Sequence, residues 1–232
     1  MSLTCEIRPT LSTEHTITLG DQSLLLLGER AVYWPAQRAL LIADLHLGKA
    51  DTLRRAGILA PRGSTSTDLD RLARLIERHQ PETLWVLGDL LHGPIFDAPW
   101  IDRWKDFRRA HRSLSIQVIA GNHDRQLTGT TAQLLELQVI RADVLLAGLC
   151  LCHEPPPGAP LPTVSGHLHP CVRLPGLPRR WPAFRLNAGG LILPAFSLLT
   201  GGALVQARDA IGFACVEGQI VALQPSRCAT SL

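Results

Sequence analysis

Lysine is almost missing from this chain. Only Lys49 and Lys105 are present, and every other basic residue among the 23 Lys plus Arg is an arginine. Set against 20 Asp plus Glu, the formal charge is only +3, too mild a balance to mark a nucleic-acid binder by itself. The arginine bias suits phosphate oxygens, because guanidinium presents a planar fork of donors, although a GC-rich genome produces the same bias. Paired cysteines are missing too. Cys5, Cys150, Cys152, Cys171, Cys215 and Cys228 form no Cys-x-x-Cys unit and no framework spacing, so they read as free thiols in a reducing cytosol. The first ten residues lack the apolar run of a secretory signal. Charge is absent from Leu186 to Ala207, a stretch long enough to raise the question of a membrane span. Asn187, Pro194 and four glycines inside it favour two buried strands joined by a loop. No internal repeat or low-complexity tract interrupts the chain. A soluble cytoplasmic protein without a membrane segment is expected.

What is present points to one α/β domain. Hydrophobic residues make up 46% and charged ones 19% of 232 residues, enough for a sizeable core. Leu40 to Ala43 is a buried-strand signal that ends at Asp44. Leu69, Leu72, Ala73 and Ile76 recur at helical spacing between Ser64 and His79. A second strand, Thr83 to Leu87, runs into Gly88-Asp89. Trp100, Trp104, Phe107 and His111 mark one face of a helix, and a third strand, Ile116 to Ala120, runs into Gly121-Asn122. Strand and helix alternate, which implies a layered α/β fold with a partly parallel sheet. After about Ile140 short strands and turns take over.

Each apolar strand stops abruptly in a polar cluster. In order these are Asp44-Leu45-His46, Gly88-Asp89-Leu90-Leu91-His92, Gly121-Asn122-His123-Asp124, Cys152-His153-Glu154 and Gly166-His167-Leu168-His169. Open α/β sheets place their sites beyond the carboxyl ends of strands, so these clusters should converge. Carboxylate, imidazole and amide oxygen together suit Mn, Fe or Zn rather than a soft thiolate site. One such cluster alone is a weak signal, since a single histidine is usually structural.

Five clusters in this order resemble the calcineurin-like metallophosphoesterases, whose pattern is D-x-H, G-D, G-N-H-[DE], H and G-H-x-H. The resemblance implies a four-layer α/β/β/α sandwich with two facing mixed sheets. It implies two divalent ions: one held by Asp44, His46 and His169, the second by Asn122, His153 and His167, with Asp89 shared. Such a pair can lower the pKa of a water that attacks phosphorus. His123 is then not a ligand but faces the phosphate, stabilising it or protonating the leaving oxygen. His92 departs from the G-D-x-x-D-R block of the Ser/Thr phosphatases and is similar to the G-D-x-x-H of nuclease subunits in double-strand-break repair. Two facing imidazoles disfavour double protonation, and diester cleavage is favoured over monoester hydrolysis.

A narrower resemblance covers about residues 28–205. Tyr33-Trp34-Pro35, Ala43 to Lys49, His153-Glu154-Pro155, Gly166 to Pro170, Leu193-Pro194-Ala195-Phe196 and Thr200-Gly201-Gly202 look like the ligase-associated DNA-damage-response endonucleases. That family implies manganese, a DNA substrate, single-stranded by expectation, and a bacterial repair pathway shared with a DNA ligase, a helicase and an exonuclease. Lys49, Arg54, Arg55 and Arg125 follow the metal blocks and are candidate partners for the nucleic-acid backbone. A solvated helix face is the plainer reading of Arg54, Arg108 and Arg109. Trp100 and Trp104 read as core, and His15, His79 and His111 as structural. The competing functions are a phosphatase or small-molecule phosphodiesterase on the same site, and a scaffold that has lost its chemistry.

Overall fold

The strand–helix alternation read between residues 39 and 140 builds the first of two sheets in the computed structural model, which describes residues 12–93, 95, 99–205 and 210–223. Three antiparallel strands lead in: β1 (Glu14–Leu19), β2 (Gln22–Leu27) and β3 (Ala31–Trp34). β4 (Ala39–Ile42) is antiparallel to β3 and then parallel to β5 (Thr83–Leu87). Helices α1 (Lys49–Arg55) and α2 (Ser64–His79) make that crossover. Helix α3 (Trp100–Ala110) leads to β6 (Ser115–Ile119), and α4 (Gly129–Leu134) to β7 (Gln138–Ile140), both strands again parallel. All four residues of β4 are buried. A central parallel strand is covered on both faces, so it reads as a continuous apolar run rather than an alternation.

The second sheet holds nine strands, with the core order β14-β11-β12-β13-β10-β9-β8. These are β8 (Val144–Leu146), β9 (Leu149–Leu151), β10 (Thr163–Ser165), β11 (Pro170–Arg173), β12 (Arg180–Asn187), β13 (Gly190–Ile192) and β14 (Ala203–Leu204). The hairpin β15 (Ile211–Val216) and β16 (Gln219–Leu223) pairs onto β12. Both sheets are mixed, as expected. They face each other across a core of Trp34, Leu41, Leu87, Leu149, Leu151, Phe184 and Phe213. Each side chain of this size buried away from water contributes about 1.5–3 kcal/mol. Leu69, Leu72, Leu75 and Ile76 of α2 and Trp100, Trp104 and Phe107 of α3 pack on the other face of the first sheet. The outer face of the second sheet carries only a small cluster around Trp181 and Ala214, with no helix over it among the described residues.

The uncharged stretch 186–207 does not supply two buried strands. Among its described residues it holds the end of β12, one buried strand, β13, and one exposed two-residue strand, β14, with the loop between the last two bracing the site. Arg108 is not on a solvated face. It is buried and donates to the Leu114 and His111 carbonyls, satisfying backbone left open where α3 ends. His15, His79 and His111 pack against Phe213, Tyr33 and Phe107, as structural residues should. Cys150, Cys152, Cys171 and Cys215 are free and buried, while Cys5 and Cys228 lie outside the described residues. No helix among the described residues is long and apolar enough to cross a membrane.

That bracing loop, Leu193-Pro194-Ala195-Phe196, fixes the first metal block. Phe196 N donates to Ala43 O at 2.8 Å and Ser197 N to Asp44 O at 3.3 Å. Behind it Arg71 donates to Phe196 O and lies 3.3 Å from Asp68, which accepts from Leu198 N. Arg30 donates to Ser197 O at 3.0 Å. The Arg71 and Asp68 side chains are 9% and 4% exposed. Removing one partner of such a pair strands the other charge and costs about 3–5 kcal/mol.

Candidate metal centre

Parallel β4, β5 and β6 end at one edge, which delivers Asp44, Asp89 and Asn122 side by side. Parallel β9 and β10 do the same in the second sheet for His153 and His167. Of the seven expected ligands, five have left-handed backbone: Asp44 (φ 54°), His46 (50°), Asp89 (50°), His167 (67°) and His169 (45°). Non-glycine residues in this region store roughly 1–3 kcal/mol each, and Asp and His tolerate it better than most. Neighbouring bonds hold the strain in place. Asp44 N donates to Gly88 O, His46 N to Asp89 O and Leu47 N to Leu90 O, so the first two blocks are stitched together.

Two glycines are required by close approach. A Cβ on Gly88 would sit 1.9 Å from His153 Nδ1, and one on Gly121 would sit 2.2 Å from Asp89 Oδ1. His153 Nδ1 donates to Leu87 O at 3.0 Å, which leaves the lone pair of Nε2 directed into the site. Around that Nε2 lie Asn122 Oδ1 at 3.1 Å, His167 Nδ1 at 3.1 Å and Asp89 Oδ1 at 3.6 Å. The other half holds Asp44, His46 and His169, whose ligand atoms lie within 4.8 Å of one another. Asp44 also groups with Asp89 and His153, so both carboxylates stand between the two imidazole sets.

Several of these atoms are buried without partners. Asp44 Oδ1, both His46 nitrogens, His92 Nδ1 and His169 Nε2 make no hydrogen bond, although Asp44 Oδ1 and His169 Nε2 are only 3.1 Å apart. An unsatisfied buried polar atom costs about 1–3 kcal/mol. Electron-pair donors gathered this closely fit cations, and the donor set is the mixed N/O type. His123 differs in being 46% exposed at its side chain, above the buried groups. Its ring stacks on His92 with centroids 4.9 Å apart and planes at 29°, and its Nε2 is 4.0 Å from Asp89 Oδ2.

Burial, followed by Lys49 and the surrounding imidazoles, pushes the His46 pKa down to about 2. Burial and then Lys49 also lower that of His92, and burial lowers Lys49 against the pull of Asp44 and Asp89. Neutral imidazole is the form that binds metal. For the metal-free protein the sign follows directly. Below about pH 6.5 the unfolded chain protonates His46 while the folded one does not, so stability falls as pH drops. The expected loss from this residue is roughly 1.4 kcal/mol per pH unit. Urea titrations of chelated protein between about pH 6.5 and 4.5 measure it, and a flat profile would refute a neutral His46.

Asp124 carries a role that its place at the end of the Gly121-Asn122-His123-Asp124 block does not reveal. It is fully buried and accepts from Gly121, Leu90 and Leu91 nitrogens, pinning the second block to the third. Lys49 lies at the site and donates to Thr200 Oγ1 at 2.9 Å. Arg54 is not free. It pairs with Asp51 and donates to Pro61 O at 2.9 Å, tying down the loop after α1. With Arg55, Arg62, Ser64 and Trp100 it lines a cleft of about 580 Å³ beside α1. Arg125 is exposed one residue after Asp124.

No curated protein gives a significant match to this chain. The chain is similar to a solved nuclease MPE of Pseudomonas putida, with 36% identity over 90% of this chain and 100% of that one, at a TM-score of 0.79. It is also similar to YfcE, a phosphoesterase from E. coli, with 18% identity over 81% of this chain and 98% of that one, at a TM-score of 0.46. The calcineurin-like phosphoesterase model matches residues 37–187, a span that starts just before β4 and takes in every polar cluster described above. This match and the likeness to the P. putida nuclease account for the converging Asp, Asn and His side chains: the chain belongs to the calcineurin-like phosphoesterases, a family of metal-dependent enzymes.

Proposed function

We propose that the enzyme is a DNA endonuclease that hydrolyses phosphodiesters, acting on single-stranded DNA in bacterial repair. The observation that carries this reading is the stacked His92–His123 pair above the buried donor groups. An aspartate at position 92 would hold His123 cationic and suit a dianionic monoester. A second imidazole, which burial and Lys49 bias toward its neutral form, gives His123 no anionic partner, in keeping with the single charge of a diester. The likeness to the P. putida nuclease supports the substrate class. A DNA ligase, helicase and exonuclease are the partners that the narrower family resemblance suggests, with work at the nucleoid in the cytoplasm.

In this reading Asp44, His46 and His169 would hold one divalent ion and Asn122, His153 and His167 the other, with Asp89 serving both; manganese is our choice over Fe or Zn. Held there, two divalent ions would supply a nucleophile at neutral pH and neutralise phosphate oxygens. The rest is done by side chains of the chain. His123 reaches the departing oxygen and donates a proton to it or stabilises its charge. His92 keeps the ring of His123 in place. Lys49, with the exposed Arg125 further out and Arg54 still tied to Asp51 beside it, draws the strand's phosphates toward the site.

Purified protein with manganese should nick circular single-stranded DNA and cleave a generic aryl diester. Robust hydrolysis of monoesters with DNA untouched would instead favour a phosphatase or small-molecule phosphodiesterase.

A further inference from the structure

A second cleft of about 580 Å³, away from the expected ligands, is lined by five arginines. Arg30 gives its hydrogen bonds to two carbonyls, Ala195 O and Ser197 O, and the carboxylate acting on it is Asp68, which is already paired with Arg71. Arg74 is exposed on α2 and makes no ion pair among the described residues. Arg180, on β12, reaches only a carbonyl, Gly202 O at 3.5 Å. The Arg179 guanidinium lies 3.5 Å over the Trp181 ring, which holds its planar fork in place. Arg71 is the exception, being paired with Asp68.

Two carboxylates line the same cleft. Glu29 is engaged by Arg78 at 3.2 Å, and Glu217 is 3.6 Å from Arg179 in a pair exposed on both sides, which contributes little. Positive charge is therefore in excess. Trp181 and Arg71 are each more than nine-tenths buried, at 7% and 8% exposure, and each keeps a donor without a partner, Trp181 Nε1 and Arg71 Nε. Those two atoms are enclosed, whereas the exposed Arg74, Arg179 and Arg180 guanidiniums face the cleft as cations in excess of anions, which calls for an oxyanion.

The cleft is joined to the metal centre. Thr200 lines it, and the Thr200 hydroxyl accepts from Lys49 Nζ at 2.9 Å. Lys49 in turn lies in the field of Asp44 and Asp89. We infer that this cleft takes phosphate groups of the same nucleic-acid strand whose scissile diester sits at the metals. The strand then runs past Lys49 and Thr200 onto Arg74, Arg179 and Arg180. This rests on the DNA reading above and adds where the rest of the substrate is held. The volume exceeds what one phosphate fills, and the arginines come from separate walls (α2, β12 and the β2–β3 turn), which suits a chain of phosphates over a single ion.

The test is Arg74→Ala combined with Arg180→Ala, two exposed side chains whose removal leaves the core intact. KM for a single-stranded oligonucleotide should rise roughly tenfold with kcat unchanged. The salt dependence of binding should flatten by about 0.7 for each phosphate that is no longer neutralised. Kinetics on a small aryl diester, too short to reach the cleft, should not change. Arg103→Ala with Arg109→Ala removes the same charge from the surface of α3 and serves as the control. An oligonucleotide KM within twofold of wild type, or an equal rise in both double variants, overturns the subsite while leaving the nuclease reading intact. Wild-type protein that cleaves the aryl diester but neither binds nor cuts DNA overturns both.

Discussion

Asp89→Ala is expected to lower diester hydrolysis by at least about 10³-fold, roughly 4 kcal/mol of lost transition-state stabilisation. Asp89 is 3% exposed, and its Oδ1 accepts from His123 N at 2.9 Å while lying 3.6 Å from His153 Nε2. Its truncation therefore removes negative charge from between the two imidazole sets and loosens the backbone that carries His123. Equilibrium dialysis with manganese should fall from two ions per chain to one or fewer. The metal-free variant should still fold, because Asp124 continues to hold the Leu90 and Leu91 nitrogens. Retention of two ions together with activity within tenfold of wild type would remove Asp89 from the centre of the mechanism.

His123→Ala should have the second-largest effect and a different signature. A positioned proton donor contributes typically about 10²–10⁴-fold, so kcat on DNA should fall by that amount with metal content unchanged. The ring is half-exposed above the ligands and lies beside Asp89 and the His46 ring among them, with the His92 ring stacked on it. The effect should shrink on an aryl diester whose leaving group departs without a proton. An equal drop on both substrates would point to displaced metals instead of a missing acid, and parallel metal analysis separates the two. His92→Asp probes the same pair from the other side: it should favour protonation of His123 and move preference toward monoesters.

Much of this site is legible in the chain because its ligands are local in sequence and distinctive in kind. A parallel strand buried on both faces appears as an apolar run, and the residue at which that run stops is necessarily at the carboxyl edge. Leu40 to Ala43 followed by Asp44, and Thr83 to Leu87 followed by Gly88-Asp89, therefore mark the site from residue order alone. The same reasoning fails for Arg108, where a charge at the end of a helix face reads as solvated. Only the chain reversal after α3 shows that the Leu114 and His111 carbonyls close over it.

Residue order dictates the chemistry: which Asp, Asn and His side chains are offered, in what succession, and at the ends of which strands. How they are held is a property of the packed molecule. The left-handed backbone at Asp44, His46, Asp89, His167 and His169 is a local cost that the tolerance of Asp and His for this region offsets only in part. At Asp44 and His46 it persists because bonds from distant segments over-determine it: Gly88 O and Asp89 O from the second block, and Ser197 N from a loop roughly 150 residues further along. The arginine cleft is likewise invisible in the chain, since Arg30, Arg74 and Arg180 are separated by dozens of residues and meet only where the β2–β3 turn, α2 and β12 pack together. Short-range pattern encodes periodicity and residue type; the convergence of charges and the storage of strain depend on packing between segments that pattern does not pair.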